Sequence, residues 1–192
     1  MLNKTTLIIL LGFSFFSFSQ NSADSVQISK MLNEVNINAL RAGEKTPVAF
    51  TNISKSEIEK RNLGQDIPYV ISLTPSIVTT SDAGAGIGYT GFRIRGSDPT
   101  RITVTINGIP LNDSESQGVW WVNMPDFSSS VENIQIQRGV GTSTNGGSAF
   151  GASINLKTDE VPQKPYFLTS NTIGSFATMK NNIEFGTGLL TN

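Results

Sequence analysis

Cysteine and histidine are both absent from this chain of 192 residues. The first absence excludes disulfide bonds and thiolate chemistry, and the second removes the commonest general base and the commonest zinc ligand. Charged residues make up only 15% of the chain and the formal net charge is −1, so the basic surface that nucleic acids require is missing as well. The sequence also contains no serine-hydrolase elbow, P-loop or zinc-protease motif. We therefore expect no enzymatic activity, no metal site, no cofactor and no nucleic-acid partner.

The first 19 residues have the composition of an export signal. Lys4 precedes an apolar run over Leu7–Phe18, and small residues follow this run. The run is shorter than the roughly 20 residues that a membrane-spanning helix needs, which favours a cleaved signal over a retained anchor. We predict that the protein is exported and that cleavage occurs before Gln20.

The following segment, residues 20–47, is polar and contains one short patch of alternating residues, Asn33–Ala39. Alternation alone is consistent with a first strand, with a loose terminus, or with an extended segment to which a partner adds a strand. The alternating pattern of Asn33–Ala39 therefore does not decide among these three structures.

Residues 48–158 carry the helix and strand patterns of one small α/β domain. Ser54 and Glu57 form a capping box, which predicts a helix over residues 55–62. Asp66 stands at the N-cap of a second short helix.

A G-x-G-x-x-G run at Gly86–Gly91 invites comparison with a dinucleotide site. A helix must follow the glycines in such a site, whereas Phe92–Arg95 alternates as a strand does. We therefore reject the dinucleotide interpretation. A tight turn connects this strand to a second one over Ile102–Ile106. We expect the long loops on the outer sides of the two strands, residues 81–90 and 112–124, to emerge together.

Glu132–Thr158 opens and closes with strand-like alternation, and glycines crowd the middle. Ile134 and Ile136 alternate with two glutamines, which predicts a strand with one buried face. Such a glycine-rich stretch cannot hold a helix and suits a loop whose backbone passes close to another part of the molecule.

The motifs FRIRG, TVTINGIPLN and IQIQRG…GASINLKT resemble, in order and spacing, those of the plug domain of TonB-dependent outer-membrane receptors. Asn145 and Ala152 depart from the family pattern, which has a tyrosine and a glycine there. The resemblance implies an α/β (α+β) plug domain at 48–158, with a small mixed sheet of about four strands, short helices and long glycine-rich loops. Residues 159–192 would be a linker and the first one or two strands of a truncated outer-membrane β-barrel.

The resemblance also implies a function. The plug would occlude its own β-barrel in the outer membrane and take part in energy-coupled uptake of a scarce nutrient, such as a ferric siderophore, cobalamin or a similar large solute. The periplasmic partner would be TonB, and the substrate would be a small molecule or metal chelate. The alternative is a secreted β-rich binding or adhesion module.

Three groups of residues are candidates for these roles. By resemblance, the TonB-binding residues are Glu34, Val35, Ile37 and Ala39. The arginines expected to meet acidic residues of the barrel wall are Arg93, Arg95 and Arg138. The substrate candidates on the two long loops are Tyr89, Asp113, Trp120 and Trp121. Because two adjacent tryptophans cannot both enter one face of a sheet, at least one is expected near solvent or ligand, and the other can be a core residue.

Overall fold

The computed structural model describes residues 41–43, 45–140, 149–175 and 177–189. The predicted signal at 1–19 and the patch at 33–39, with its TonB-binding candidates, lie outside these residues. The strands are β1 (Ala49–Ser54), β2 (Ile77–Ser81), β3 (Thr90–Ile94), β4 (Ile102–Ile106), β5 (Ile109–Pro110), β6 (Val131–Arg138), β7 (Ala152–Thr158), β8 (Tyr166–Ile173) and β9 (Met179–Gly186).

The central element is a five-stranded sheet in the order β1-β6-β7-β4-β5. β7 pairs in parallel with β4, and the other neighbours are antiparallel. The mixed sheet is therefore confirmed. It has one strand more than the predicted four because the two-residue β5 adds to the edge of β4.

Two short helices follow β1. Helix α1 spans Lys55–Arg61, and its capping box is formed as predicted. The Glu57 carboxylate accepts hydrogen bonds of 2.9 Å from both the backbone N–H and the hydroxyl of Ser54. Helix α2 spans Ile67–Val70, with Asp66 in the N-cap position. Residues 99–101, 121–123 and 127–130 form single 3₁₀ turns.

One face of the central sheet carries the hydrophobic core. Its inward residues on β4, β6 and β7 alternate along each strand, as the sequence predicts. Helices α1 and α2 contribute Ile58, Ile67 and Val70 to the same cluster, which includes Ile134 and Ile154. These helices thus cover the apolar face, the usual arrangement of an α+β layer.

The opposite face of the sheet is polar, and it is buried too. Its buried residues are Thr103, Thr105, Gln135, Gln137, Ser153 and Asn155. The alternation in β6 predicted one buried face only, so that expectation is wrong for the glutamines. Alternation within β6 cannot predict that the glutamines are buried, because their burial depends on other parts of the chain that pack on the polar face.

β3 pairs with β2 in a separate two-stranded sheet, not with β4. We expected the loops 81–90 and 112–124 to emerge together because β3 and β4 would be neighbouring strands. The structure does not pair these two strands, so the reason given for that expectation is wrong. β3 ends at Ile94, and the chain reverses through Arg95 and Gly96, both at positive φ, with Ser97 donating to the Ile94 carbonyl at 2.9 Å. Arg95 therefore lies in a turn, and the strand that the sequence predicts over Phe92–Arg95 ends one residue earlier, at Ile94. The segment that follows the glycine run is a strand, so the basis for rejecting a dinucleotide site is confirmed.

The glycine-rich segment before β7 does pass close to another part of the backbone. A Cβ on Gly151 would lie 2.4 Å from the Ser97 Cβ and 3.1 Å from the Arg101 carbonyl oxygen. The Gly151 N–H donates to that same carbonyl at 2.8 Å. Only glycine allows this approach.

β8 and β9 form the predicted antiparallel hairpin. One face carries the cross-strand pairs Phe167–Phe185 and Ile173–Met179, all four exposed. On the other face Lys180 pairs with Asp126 at 2.7 Å and donates to the Ser129 hydroxyl at 2.8 Å. An unclosed hairpin with one apolar outer face agrees with the predicted start of a barrel. Within the described ranges, no helix is both long and apolar enough to cross a membrane.

Candidate functional site

Two aromatic rings from different loops meet at the surface. Tyr89 and Trp120 are 62% and 52% exposed, and their ring centroids lie 6.4 Å apart at an interplanar angle of 86°. An edge-to-face pair of this kind is a favourable aromatic geometry. The two long loops thus lie side by side, although the strand pairing differs from the one from which we inferred this.

The ring pair borders an open groove of about 500 Å³. The hairpin β2–β3, the turn at 98–100 and the segment 116–122 form its walls. Asp82, Arg93 and Asp98 are the charged residues in the lining, and Thr100 adds a hydroxyl. A concave surface with aromatic rings and a few polar groups is typical of a small-molecule site.

Trp121 has a different environment from its neighbour. It is only 3% exposed and packs against Phe92, with ring centroids 6.0 Å apart. It belongs to the hydrophobic core, where it lies behind the groove. Of the two tryptophans, Trp120 is therefore the one whose ring faces solvent.

Asp113 organises its own loop. Its carboxylate accepts hydrogen bonds from the backbone N–H groups of Ser116 and Glu115, at 2.6 and 3.0 Å. The hydrogen bond from the Ser116 backbone, a further one from its side chain and the one from Glu115 hold the pKa of Asp113 below its ordinary value. Asp113 does not line the groove. Its contacts indicate a turn-forming role, which shapes the loop that carries Trp120.

Arg93 has an acidic neighbour within its own domain. Its guanidinium lies 3.6 Å from the Asp98 carboxylate, and both side chains are largely exposed. The pKa of Asp98 is lowered, first by the hydrogen bond from the Thr100 backbone N–H, then by the Thr100 hydroxyl, with smaller effects of Arg93 and Arg101. An exposed pair of this length contributes little to stability. Arg93 therefore remains able to exchange this carboxylate for another.

Arg95 and Arg138 lie next to each other at the end of β6. The Arg95 guanidinium donates to the Arg138 carbonyl, and the Arg138 guanidinium donates to the Pro75 carbonyl, each at 3.4 Å. The buried Nε of Arg138 has no hydrogen-bond partner. Within the part of the chain that the structure describes, neither guanidinium forms an ion pair. The structure thus brings two of the three candidate arginines together.

The sequence analysis identified Asp66 only as a helix N-cap and missed its contacts with the loop that carries Tyr89. The side chain of Asp66 is not bonded to the helix it precedes; it accepts a 2.7 Å hydrogen bond from the Thr90 hydroxyl instead. The Asp66 backbone N–H donates to the Gly86 carbonyl at 2.9 Å. Asp66 is only 1% exposed, so these contacts anchor the loop that carries Tyr89 on both sides of that residue, at Gly86 and at Thr90. A helix cap and a loop anchor require the same residue type, so the sequence does not distinguish them.

Comparisons with known proteins agree with the fold. A family model described as TonB-dependent Receptor Plug Domain matches residues 42–153, more than half of the chain. The vitamin B12 transporter BtuB of Vibrio vulnificus is 24% identical over 82% of this chain and 25% of its own length. Lactoferrin-binding protein A of Neisseria meningitidis is 23% identical over 83% of this chain and 18% of its own.

Among solved structures, the ferric yersiniabactin uptake receptor FyuA of Yersinia pestis superposes with a TM-score of 0.56. It is 15% identical, and the match covers 74% of this chain and 22% of the receptor. The chain thus spans about a quarter or less of the length of each of these relatives. The family is one of receptors, which agrees with the expectation that this chain is not an enzyme. The extent of the family match shows that this chain belongs to the TonB-dependent receptor plug domain family.

Proposed function

We propose that this chain is the N-terminal part of an outer-membrane receptor that takes up a scarce nutrient with energy delivered through TonB. The vitamin B12 transporter and the ferric yersiniabactin receptor are uptake proteins by their names, which supports uptake of a large solute here. The nutrient class is a ferric siderophore, cobalamin or a similar compound. The protein reaches the outer membrane through an export signal that is cleaved before Gln20.

The main support for substrate binding by this domain is the exposed pair of Tyr89 and Trp120 beside the groove. Rigid aromatic rings supply much contact area at a small entropic cost, and such rings dominate many binding sites. Tyr89 and Trp120 contact the substrate in this proposal. Asp113 shapes the loop, and Trp121 supports it from the core.

The arginines contact the barrel. Arg95 and Arg138 are joined by the hydrogen bond from the Arg95 guanidinium to the Arg138 carbonyl, and neither has an acidic partner in the described ranges. Inside a barrel lumen an unpaired charge is costly, so carboxylates of the barrel wall would stabilise the pair. Arg93 is the third contact and exchanges Asp98 for a barrel carboxylate.

TonB binds the N-terminal segment. The segment Asn33–Ala39 would add a strand to the partner through backbone hydrogen bonds, with Glu34, Val35, Ile37 and Ala39 as the contacting residues. This assignment rests on the resemblance of the segment to the short extended stretch, called the TonB box, that binds TonB in this family of receptors.

Growth under nutrient limitation tests the function. Cells that lack the receptor receive either the wild-type gene or Trp120→Ala, and are grown with a ferric siderophore as the iron source or with limiting cobalamin. We expect wild type to restore growth in one of these media, only in cells that contain TonB, and Trp120→Ala to restore it poorly. Restoration that does not depend on TonB would refute the proposal.

A further inference from the structure

The polar face of the central sheet binds the backbone of a distant segment. The amide of Gln135 accepts a 2.7 Å hydrogen bond from the Ala42 N–H and donates a 3.0 Å hydrogen bond to the Ala42 carbonyl. One side chain thus satisfies both backbone groups of one residue, as a neighbouring strand would. Such bonds do not depend on the side chain of the bound residue.

Other side chains hold the Gln135 amide in this orientation. Its Nε2 also donates to the Asn52 side chain at 2.8 Å, and its Oε1 accepts from the Gln137 amide at 3.0 Å. Gln135 is only 2% exposed, so its rotamer is fixed by this network as well as by packing. A clamp that is oriented in advance loses little entropy when it binds.

The preceding residue is attached to the same face. The Arg41 guanidinium donates to the side chain of Asn133, and to the carbonyls of Asn133 and Asn155 at 3.5 and 3.2 Å. Burial lowers the pKa of Arg41, while the nearby Glu132 charge acts in the opposite direction. Arg41 is therefore a desolvated anchor one residue before the clamp.

The face has hydrogen-bonding capacity beyond these contacts. The buried Thr103 Oγ1, Ser153 Oγ and Asn155 Nδ2 have no hydrogen-bond partner. All three lie on the same face of the sheet. Ser153 and Asn155 are on β7, the neighbour of β6, and Thr103 is on β4, the next strand beyond β7. Unpaired buried polar atoms are costly, and native proteins rarely keep several on one surface without a use.

We propose that this polar face, centred on Gln135, is a docking surface for the extended backbone of the chain's own N-terminal segment, which it grips at Arg41 and Ala42. The grip is specific at Arg41 and independent of side-chain identity at Ala42. The grip lies two residues after the predicted TonB-binding stretch Asn33–Ala39.

Thiol labelling of the full-length receptor tests the docking. The 192 residues contain no cysteine, so Ala42→Cys is the unique thiol of this part, provided that any cysteine beyond it is first replaced by serine. The substitution keeps both backbone groups, so we expect labelling to be slow. Gly43→Cys, at an exposed neighbour, is the reference for a free thiol. Adding Gln135→Met, which keeps the length of the side chain and removes both bonds, should accelerate labelling of Cys at position 42 about tenfold.

Gln65→Met is the matched control, because Gln65 also donates from its amide to a backbone carbonyl, that of Ala85, at 2.8 Å. It should leave labelling at position 42 unchanged. If Gln135→Met does not fold, Gln135→Asn withdraws the amide with less loss of polarity and should give the same acceleration. Labelling of Ala42→Cys as fast as that of Gly43→Cys, or no effect of either Gln135 variant, would overturn the proposal. None of these measurements involves TonB, so their failure is distinguishable from failure of the uptake function.

Discussion

The aromatic rings of Tyr89 and Trp120 meet edge to face with their centroids 6.4 Å apart, while the adjacent Trp121 packs on Phe92 in the core. One of two neighbouring tryptophans is thus exposed to solvent, and the other belongs to the hydrophobic core. Substitution of each should therefore change a different property of the protein.

Trp121→Ala should lower the free energy of unfolding by about 3–5 kcal/mol, because it leaves a cavity in the core. Trp120→Ala should cost about 1 kcal/mol or less, since it loses mainly the contact with Tyr89. The affinity for the transported nutrient should instead fall with Trp120→Ala, by ~1–3 kcal/mol. Denaturant unfolding and equilibrium binding on the same two variants check this. A stable Trp121→Ala protein would show that the ring is not part of the core.

Glu57→Gln tests the capping box through its pH dependence. The hydrogen bonds from the Ser54 backbone and side chain lower the pKa of Glu57 below its ordinary value of 4.5. A lowered folded-state pKa means that the charged carboxylate stabilises the fold above that ordinary value, and that the contribution is lost as the pH falls through the folded-state pKa. The stability difference between wild type and Glu57→Gln should therefore be largest near neutral pH and vanish in acid. A difference that does not change with pH would contradict the assignment.

Gly151→Ala should destabilise the domain by roughly 1–3 kcal/mol, because the added methyl group would overlap Ser97 and approach the Arg101 carbonyl. Gly118→Ala is the control, since a Cβ there would meet nothing closer than 3.9 Å. Thermal unfolding of both variants provides the comparison. Equal midpoints would mean that the backbone approach at Gly151 is looser than the structure shows.

The pair of Lys180 and Asp126 should join the hairpin β8–β9 to the rest of the domain. Lys180 is the more buried partner, with 13% of its side chain exposed. Lys180→Met and Asp126→Asn should each increase protease cleavage within residues 159–165, and the double variant should be little worse than either alone. Additive effects in this cycle would show that the two residues act independently.

Much of the fold was predictable because its signals are local. Ser54 and Glu57 lie three residues apart, and their side chains determine where α1 begins without help from the rest of the chain. The alternation around Ile134 and Ile154 likewise gives the correct apolar face of β6 and β7. Short-range chemistry of this kind can be read from one sequence.

Long-range pairing was not predictable in the same way. Nothing in residues 90–94 distinguishes β2 from β4 as the partner strand, so the position of Arg95 in a turn was missed. Burial of Gln135 depends on Ala42, which lies far away along the chain. The second role of Asp66 depends on Thr90 in the same way. The role of each of these residues depends on a contact with a residue distant in sequence, so it can be recognised only once the three-dimensional fold is known.

The most direct test of the uptake proposal is the affinity of the full-length receptor for the isolated periplasmic domain of TonB. Val35→Pro removes a backbone donor and restricts φ within Asn33–Ala39, whereas Val35→Ala keeps the donor and shortens only the side chain. We predict that wild type binds, that Val35→Ala binds within about threefold of wild type, and that Val35→Pro loses roughly tenfold or more in affinity, as the loss of an obligatory backbone hydrogen bond implies. A wild-type receptor that does not bind this domain, or a Val35→Pro variant that binds as tightly as wild type, would contradict the account.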